Sequence, residues 1–221
     1  RRRDVLWAAL WRFWFRRWIG PDDCVLDIGA GHGQFINNVV AARRIAIDVW
    51  PPFLRHLARG VQGIVGRTWE IQSLADGSVD FAFASNIFEH ISKADFARTL
   101  GVLAAKLRPT GTLTILQPNY RYAYREYFDD YTHETVFSHI SLRDFLEAHG
   151  YEVFEVRPRF LPLTVKSALP VSPWLIWLYL HLPVKPLGKQ MLIRARPAAG
   201  RPILHRPARS HAAREPHQCG V

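Results

Sequence analysis

Apolar residues dominate five short runs of the chain without the strict alternation of a strand that has one wet face: 24–28 (CVLDI), 44–48 (RIAID), 61–65 (VQGIV), 79–85 (VDFAFAS) and 112–117 (TLTILQ). Strands covered on both faces read this way. Between them the apolar positions recur every three or four residues, which predicts helices at 34–42, 52–59 and 92–107. Ser92 opens the last of these as N-cap, and Pro109 and Gly111 close it. Strand and helix in alternation predict an α/β domain on a doubly wound, mostly parallel, Rossmann-like sheet.

The pattern changes at both ends. Trp7, Leu10, Trp11, Trp14, Phe15 and Trp18 form one stripe of an N-terminal helix, with Arg12 and Arg16 opposite. The stripe is expected to pack on the domain's own sheet, although a basic, Trp-rich helix also has the composition of one that lies on an anionic membrane. After Gln117 the period is lost. Residues 118–140 (PNYRYAYREYFDDYTHETVFSHI) are aromatic and polar, and a helix at 141–149 and a strand at 152–157 follow. Open α/β sheets bind ligands beyond the carboxyl ends of their strands, so 118–140 is placed as a lid over that edge.

Residues 158–188 are rich in Pro, Leu and Trp. Their most apolar piece, 173–183 (PWLIWLYLHLP), is far shorter than the ~20 residues of a spanning helix. It is expected to cover the sheet edge or to dip into a bilayer interface. A last strand at 189–196 precedes a polar tail that is expected to be disordered. The organisation is thus a basic helix at 1–19, a domain at 20–196 and a basic tail at 197–221.

The 221 residues suffice for one domain with a sizeable core. The formal net charge of +10 is unevenly placed. Residues 1–18 hold six Arg against Asp4 and residues 197–221 hold four against Glu215, so +5 and +3 lie in the two arms and +2 in the body. A basic groove for nucleic acid is therefore disfavoured. Cys24 and Cys219 are the only cysteines, which suggests neither a disulfide framework nor a metal site and makes a cytoplasmic location the expectation. The Trp-rich segments leave room for peripheral contact at the inner membrane surface.

Candidate chemistry begins at residues 25–35, VLDIGAGHGQF, where a buried strand runs into Gly29, Gly31 and Gly33. Missing side chains at such a strand-to-helix turn let a ligand approach the backbone. Gln34 stands where a dinucleotide fingerprint needs its third glycine, and no phosphate-binding G-x-x-x-x-G-K-[ST] loop occurs. Two further segments follow in order, RIAIDVW at 44–50 and LADGSVDFAFASNIFEHIS at 74–92. Together the three resemble the class I S-adenosylmethionine-dependent methyltransferases of type 11 and type 23-like families, over roughly 20–196.

The resemblance implies an antiparallel last strand and S-adenosylmethionine as methyl donor. It places Asp27, Gly29, Ala30, Gly31, Gly33 and Gln34 around the donor's amino-acid end and sulfonium. Asp48 would accept hydrogen bonds from the ribose hydroxyls, and Val49 and Trp50 would flank the adenine. Ser85 and Asn86 would lie against the donor, with Glu89 and His90 starting the next helical segment. One position departs from the family: after the third strand an acid usually reads the adenine amino group, and here Arg67 is found, with Thr68 or Glu70 as substitutes.

Methyl transfer to a hydroxyl requires alignment and removal of a proton. Candidate catalytic residues are His133, with Asp129 or Asp130 to orient it, and His90. No metal is expected, because Asp129, Asp130 and His133 lack a second cluster at ligand spacing. The leading expectation is a bacterial enzyme that O-methylates a small molecule or lipid-linked glycan. An RNA methyltransferase is the alternative, disfavoured because SNIFEH replaces the Asn/Asp-Pro-Pro-aromatic sequence of many base N-methylating enzymes. A non-catalytic protein that binds S-adenosylmethionine at an interaction or membrane surface is the third reading.

Overall fold

A computed structural model describes residues 2–162 and 172–198. The expectation of a disordered tail falls almost wholly outside the described residues. Seven strands form one sheet: β1 (Cys24–Ile28), β2 (Arg43–Asp48), β3 (Val61–Val65), β4 (Val79–Ser85), β5 (Leu107–Pro118), β6 (Tyr151–Leu161) and β7 (Gln190–Pro197). Their order is β3-β2-β1-β4-β5-β7-β6. β1 to β5 pair in parallel, and β7 runs antiparallel to both β5 and β6. The parallel run brings the ends of β1, β2, β4 and β5 to one edge.

The helices are α1 (Arg2–Phe13), α2 (Lys93–Lys106), α3 (Tyr120–Ala123), α4 (His139–Ala148) and α5 (Pro173–His181). Ser92 caps α2 as the sequence indicates, its side chain accepting from the Asp95 amide. α4 begins before the expected Ser141: Ser138 is its N-cap, and Ser138 and Ser141 bond each other's backbone amides reciprocally.

Two expected helices are absent. In place of 34–42 there is one 3-10 turn, Ile36–Asn38, and in place of 52–59 another, Pro51–His56. Asn37, Asn38, Val39 and Val40 are poor helix formers, and the Asn side chains are spent on other backbone. Asn37 Nδ2 donates to the His56 carbonyl (2.7 Å) while its Oδ1 accepts from the Ala58 amide (2.8 Å), so the residue ties the two turns together.

The N-terminal stripe packs inward. Leu10, Trp14 and Phe15 are buried in one cluster with Val25, Phe35, Phe81, Phe83 and Phe160, so α1 and the turn Phe15–Trp18 share the sheet's core instead of standing apart from it. α5 packs on α1, and its Ile176, Tyr179 and Leu180 join the cluster that holds Phe160 and Leu161 of the edge strand β6. On the other face, Phe96, Leu100 and Leu103 of α2 and Leu142 and Leu146 of α4 meet β1, β4, β5 and β7.

Phe15 is fully buried among Phe35 and Phe83, with ring centroids at 5.6 and 5.1 Å. Phe15→Ala is expected to cost ~3–5 kcal/mol in chemical denaturation, the usual range for emptying a buried aromatic site. A change near zero would mean that this segment does not belong to the folded core.

Candidate active site

The glycine turn is stitched to β2 by its backbone: the Gly29 and Ala30 amides both donate to the Ile47 carbonyl, at 2.9 and 3.1 Å. Gly29, Gly31 and Gly33 have φ of +71, +52 and +66°, which L side chains rarely adopt. The space around them differs. A Cβ on Gly29 would lie 2.7 Å from Ile87 Cγ1, whereas one on Gly31 would meet nothing within 4 Å. The Gly31 amide donates to Asp48 Oδ2 (2.8 Å), and Asp48 Oδ1 accepts from the Trp50 amide (2.9 Å). Asp48 therefore pins the loop and its own strand end together at the edge of a cleft of about 260 Å³. Asp27 lies beneath this turn. Burial raises its carboxyl to about 8, the Ile36 amide opposing and the Asp48 charge adding to the shift.

Gly29, Asp48, Val49, Gly66, Ile87, His90 and Asp95 are among the residues lining the cleft. Trp50 is not; its ring stacks on His56 at 5.6 Å and against His32 at 5.2 Å. Asn86, just past β4, has φ +51° and is braced by Gln190 Nε2 on its Oδ1 (2.9 Å), while its Nδ2 donates to Ser85 Oγ (3.2 Å). Neither substitute for the missing acid is free. Glu70 Oε2 accepts from the Arg67 amide (2.7 Å), and the Thr68 hydroxyl bonds that of Thr99 (2.5 Å), which itself donates to the Asp95 carbonyl.

The lid is sewn to the loop after β4. The Glu134 and Thr135 amides donate to the Glu89 carbonyl, and Thr135 Oγ1 to the Ile91 carbonyl. Thr132 Oγ1 donates to Asp130 Oδ1 (2.6 Å), so the bond between Thr132 Oγ1 and His90 Nδ1 (2.9 Å) takes its hydrogen from the imidazole. His133 Nδ1 donates to the Tyr127 carbonyl (2.5 Å). In the neutral form of each ring, Nδ1 is then the protonated nitrogen and Nε2 the lone-pair one, and the centroids lie 4.8 Å apart. Burial first, then the neighbouring His133, lowers the pKa of His90. The hydroxyl and amide of Thr132 lower that of Asp130. Glu89 is fully buried, which raises its carboxyl to about 8.

Residues 1–156 match the model of a protein family described as a methyltransferase domain. The chain belongs to this methyltransferase family. It is 31% identical over 199 residues to the malonyl-[acyl-carrier protein] O-methyltransferase of Methylococcus capsulatus, covering 82% of this chain and 68% of that protein. It is 31% identical over 106 residues to the 23S rRNA (guanine(748)-N(1))-methyltransferase of Streptomyces fradiae, covering 45% of this chain and 35% of that one. A solved S-adenosylmethionine-dependent methyltransferase from Archaeoglobus fulgidus superposes with a TM-score of 0.66 at 21% identity, covering 87% of this chain and 93% of that chain. The non-catalytic reading is set aside: this is a methyltransferase, and S-adenosylmethionine is its methyl donor.

The residues present fit that donor. The space beside Gly31 is open, next to it stands the half-buried Asp48 carboxylate, and Gly29 and Asp48 both line the cleft. The structure brings His90, His133 and Asp130 together, but with different wiring from that expected: Asp130 reaches His90 through Thr132, and a backbone carbonyl orients His133. Asp129 stays exposed. Asp95 lines the cleft without having been singled out by sequence, and Glu89 lies buried beside His90. Asp95 was visible only as the fourth residue of an S-x-x-D helix start, and Glu89 only as the first member of a Glu-His pair.

Two outcomes follow from this geometry. Gly31→Ala is expected to cost only ~1–2 kcal/mol of stability, the price of a left-handed backbone, yet to weaken S-adenosylmethionine binding in calorimetry at least tenfold, because its Cβ enters the open space beside Asp48. Binding equal to wild type would contradict this placement. Asp27 has a raised folded pKa, so its contribution to stability is complete below its ordinary value of 3.8 and is lost as pH rises toward 8. Asp27→Asn is therefore expected to raise the Tm of the ligand-free protein by about 5 °C or more at about pH 8.5, and by much less at about pH 5. An equal change at both pH values would contradict the assignment.

Proposed function

We propose that this methyltransferase O-methylates a hydroxyl of a small molecule or lipid-linked glycan. The observation that carries the reading is the pair of Nε2 lone pairs on His90 and His133, set at the lid edge of a cleft that His90 itself lines. A hydroxyl needs such acceptors to fix its direction and weaken its O–H bond, whereas a neutral amine does not. When bound, S-adenosylmethionine supplies an electrophilic methyl group on its sulfonium. In this reading the turn from Gly29 to Gln34, with Asp27 below it and Ser85 and Asn86 beside it, holds the amino-acid end. Asp48 takes the ribose and Val49 one side of the adenine. Asp95 replaces the missing acid at the adenine amino group.

The lid supports a sugar-like or planar acceptor. Tyr124, Phe128 and Tyr131 present exposed rings on the same lid segment as His133, Tyr131 at 94% exposure. Toward a lipid-linked acceptor, α5 offers Trp174 (63% exposed) and Trp177 (40%). Exposed Arg12, Arg16 and Arg17 of the neighbouring N-terminal segment suit an anionic surface. Among the described residues no helix is long and apolar enough to cross a membrane.

Transfer of labelled methyl should be compared across hydroxylated small molecules, lipid-linked saccharides and RNA. Label is expected in a base-stable ether of one of the first two groups. Tyr131→Ala should raise KM for that acceptor about three- to tenfold, the value of one aromatic contact. Label confined to RNA would contradict the reading.

A further inference from the structure

We propose that Glu89, His90 and His133 form a binding site for one divalent transition-metal ion at the rim of the methyl-donor cleft. One ligand atom from each residue lies within 4.8 Å of the other two, and His90 Nε2 is 3.9 Å from Glu89 Oε1. A tetrahedral ion with bonds of about 2.1 Å sets its ligand atoms ~3.4 Å apart, so the cluster closes by roughly 1 Å to bind. Small side-chain rotations cover that distance.

Three features separate this cluster from an ordinary polar contact. Glu89 is fully buried, and neither of its carboxylate oxygens has a hydrogen-bond partner on another residue. A carboxylate in that position is costly unless a cation meets it. Both imidazoles already commit Nδ1–H to protein acceptors, Thr132 Oγ1 for His90 and the Tyr127 carbonyl for His133. This is the arrangement by which metal-ligating histidines are oriented, and the bond from Thr132 to Asp130 extends it by one more step. The donor set, two imidazole nitrogens and one carboxylate, suits Zn2+, Co2+, Fe2+ or Mn2+ better than Mg2+ or Ca2+, which prefer oxygen.

Three protein ligands leave a coordination position open, and His90 is shared between the cluster and the cleft wall. With the ion bound, both Nε2 lone pairs are ligands and no longer accept from the hydroxyl; the open position takes the acceptor oxygen, the cation lowers its pKa, and its proton leaves to water as the new O–CH3 bond forms and the S–CH3 bond of the donor breaks. This role rests on the O-methylation reading, but the binding of the ion does not. Glu89 and His90 lie on the loop after β4 and His133 on the lid, so a bound ion also clamps the lid shut.

The test uses the full chain, freed of metal by chelation and titrated with Co2+ without any acceptor. One equivalent is expected to bind, to develop the visible absorption of a nitrogen- and oxygen-ligated cobalt ion, and to be displaced by Zn2+. Glu89→Gln, which keeps the buried volume, and His133→Ala should each weaken Co2+ binding about 100-fold or more, and Thr132→Val about tenfold. Calorimetry with S-adenosylmethionine serves as the check that each variant is folded. No stoichiometric binding, or binding that survives both ligand variants, overturns the site; in the second case the ion belongs elsewhere, the nearest rival being the His32 and His56 rings at 4.6 Å. Because the titration needs no acceptor, failure of the O-methylation reading would leave a positive cobalt result intact. An absent cobalt signal would leave O-methylation to the bare imidazoles.

Discussion

Ile87 rests where a Cβ of Gly29 would have to be, 2.7 Å from its Cγ1, and the rest of the site depends on that contact. It presses the loop after β4 against the turn after β1, two segments that only the parallel pairing of β1 with β4 could bring to one edge. Glu89 and His90 follow two and three residues later, so the same contact sets the loop that carries them against the glycine turn, with His90 in the cleft wall. Gly31 has no such neighbour. Of two glycines two residues apart, one is required by packing and the other leaves room for a ligand.

Around this contact the chain buries two acids that burial alone disfavours. Asp27 beneath the donor turn and Glu89 beneath the lid both have carboxyls raised to about 8. Residues free of functional demands would be apolar there, and local conflict of this kind concentrates at working sites. The sheet tolerates the cost because its core is extensive on both faces, with Phe15, Phe35 and Phe83 on one side and Phe96, Leu100 and Leu146 on the other.

What the sequence revealed followed the range of the interactions involved. The strands were legible because burial on both faces leaves its mark residue by residue, and the donor turn because backbone conformation dictates glycine at 29, 31 and 33. Residues 34–42 misled because their apolar spacing is helical while Asn37 and Asn38 spend their side chains on backbone carbonyls. On the acceptor side, His90 and His133 could be named as types but their wiring could not. The bond from His90 to Thr132 joins residues 42 apart, and that from Thr68 to Thr99 residues 31 apart. Neither leaves a local pattern. Asp95 was hidden behind its more ordinary place at the start of a helix.

We propose that the edge formed by β1, β2 and the loop after β4 is the methyl-donor site, with Asp48 as its ribose acceptor. Calorimetric titration of S-adenosylmethionine into the wild-type chain and into Asp48→Asn tests it most directly. One site per chain is expected in the wild type, and an affinity about 10- to 100-fold lower in the variant, the worth of charge-assisted hydrogen bonds to a carboxylate. Undiminished binding by Asp48→Asn, or no binding by the wild type, would contradict it.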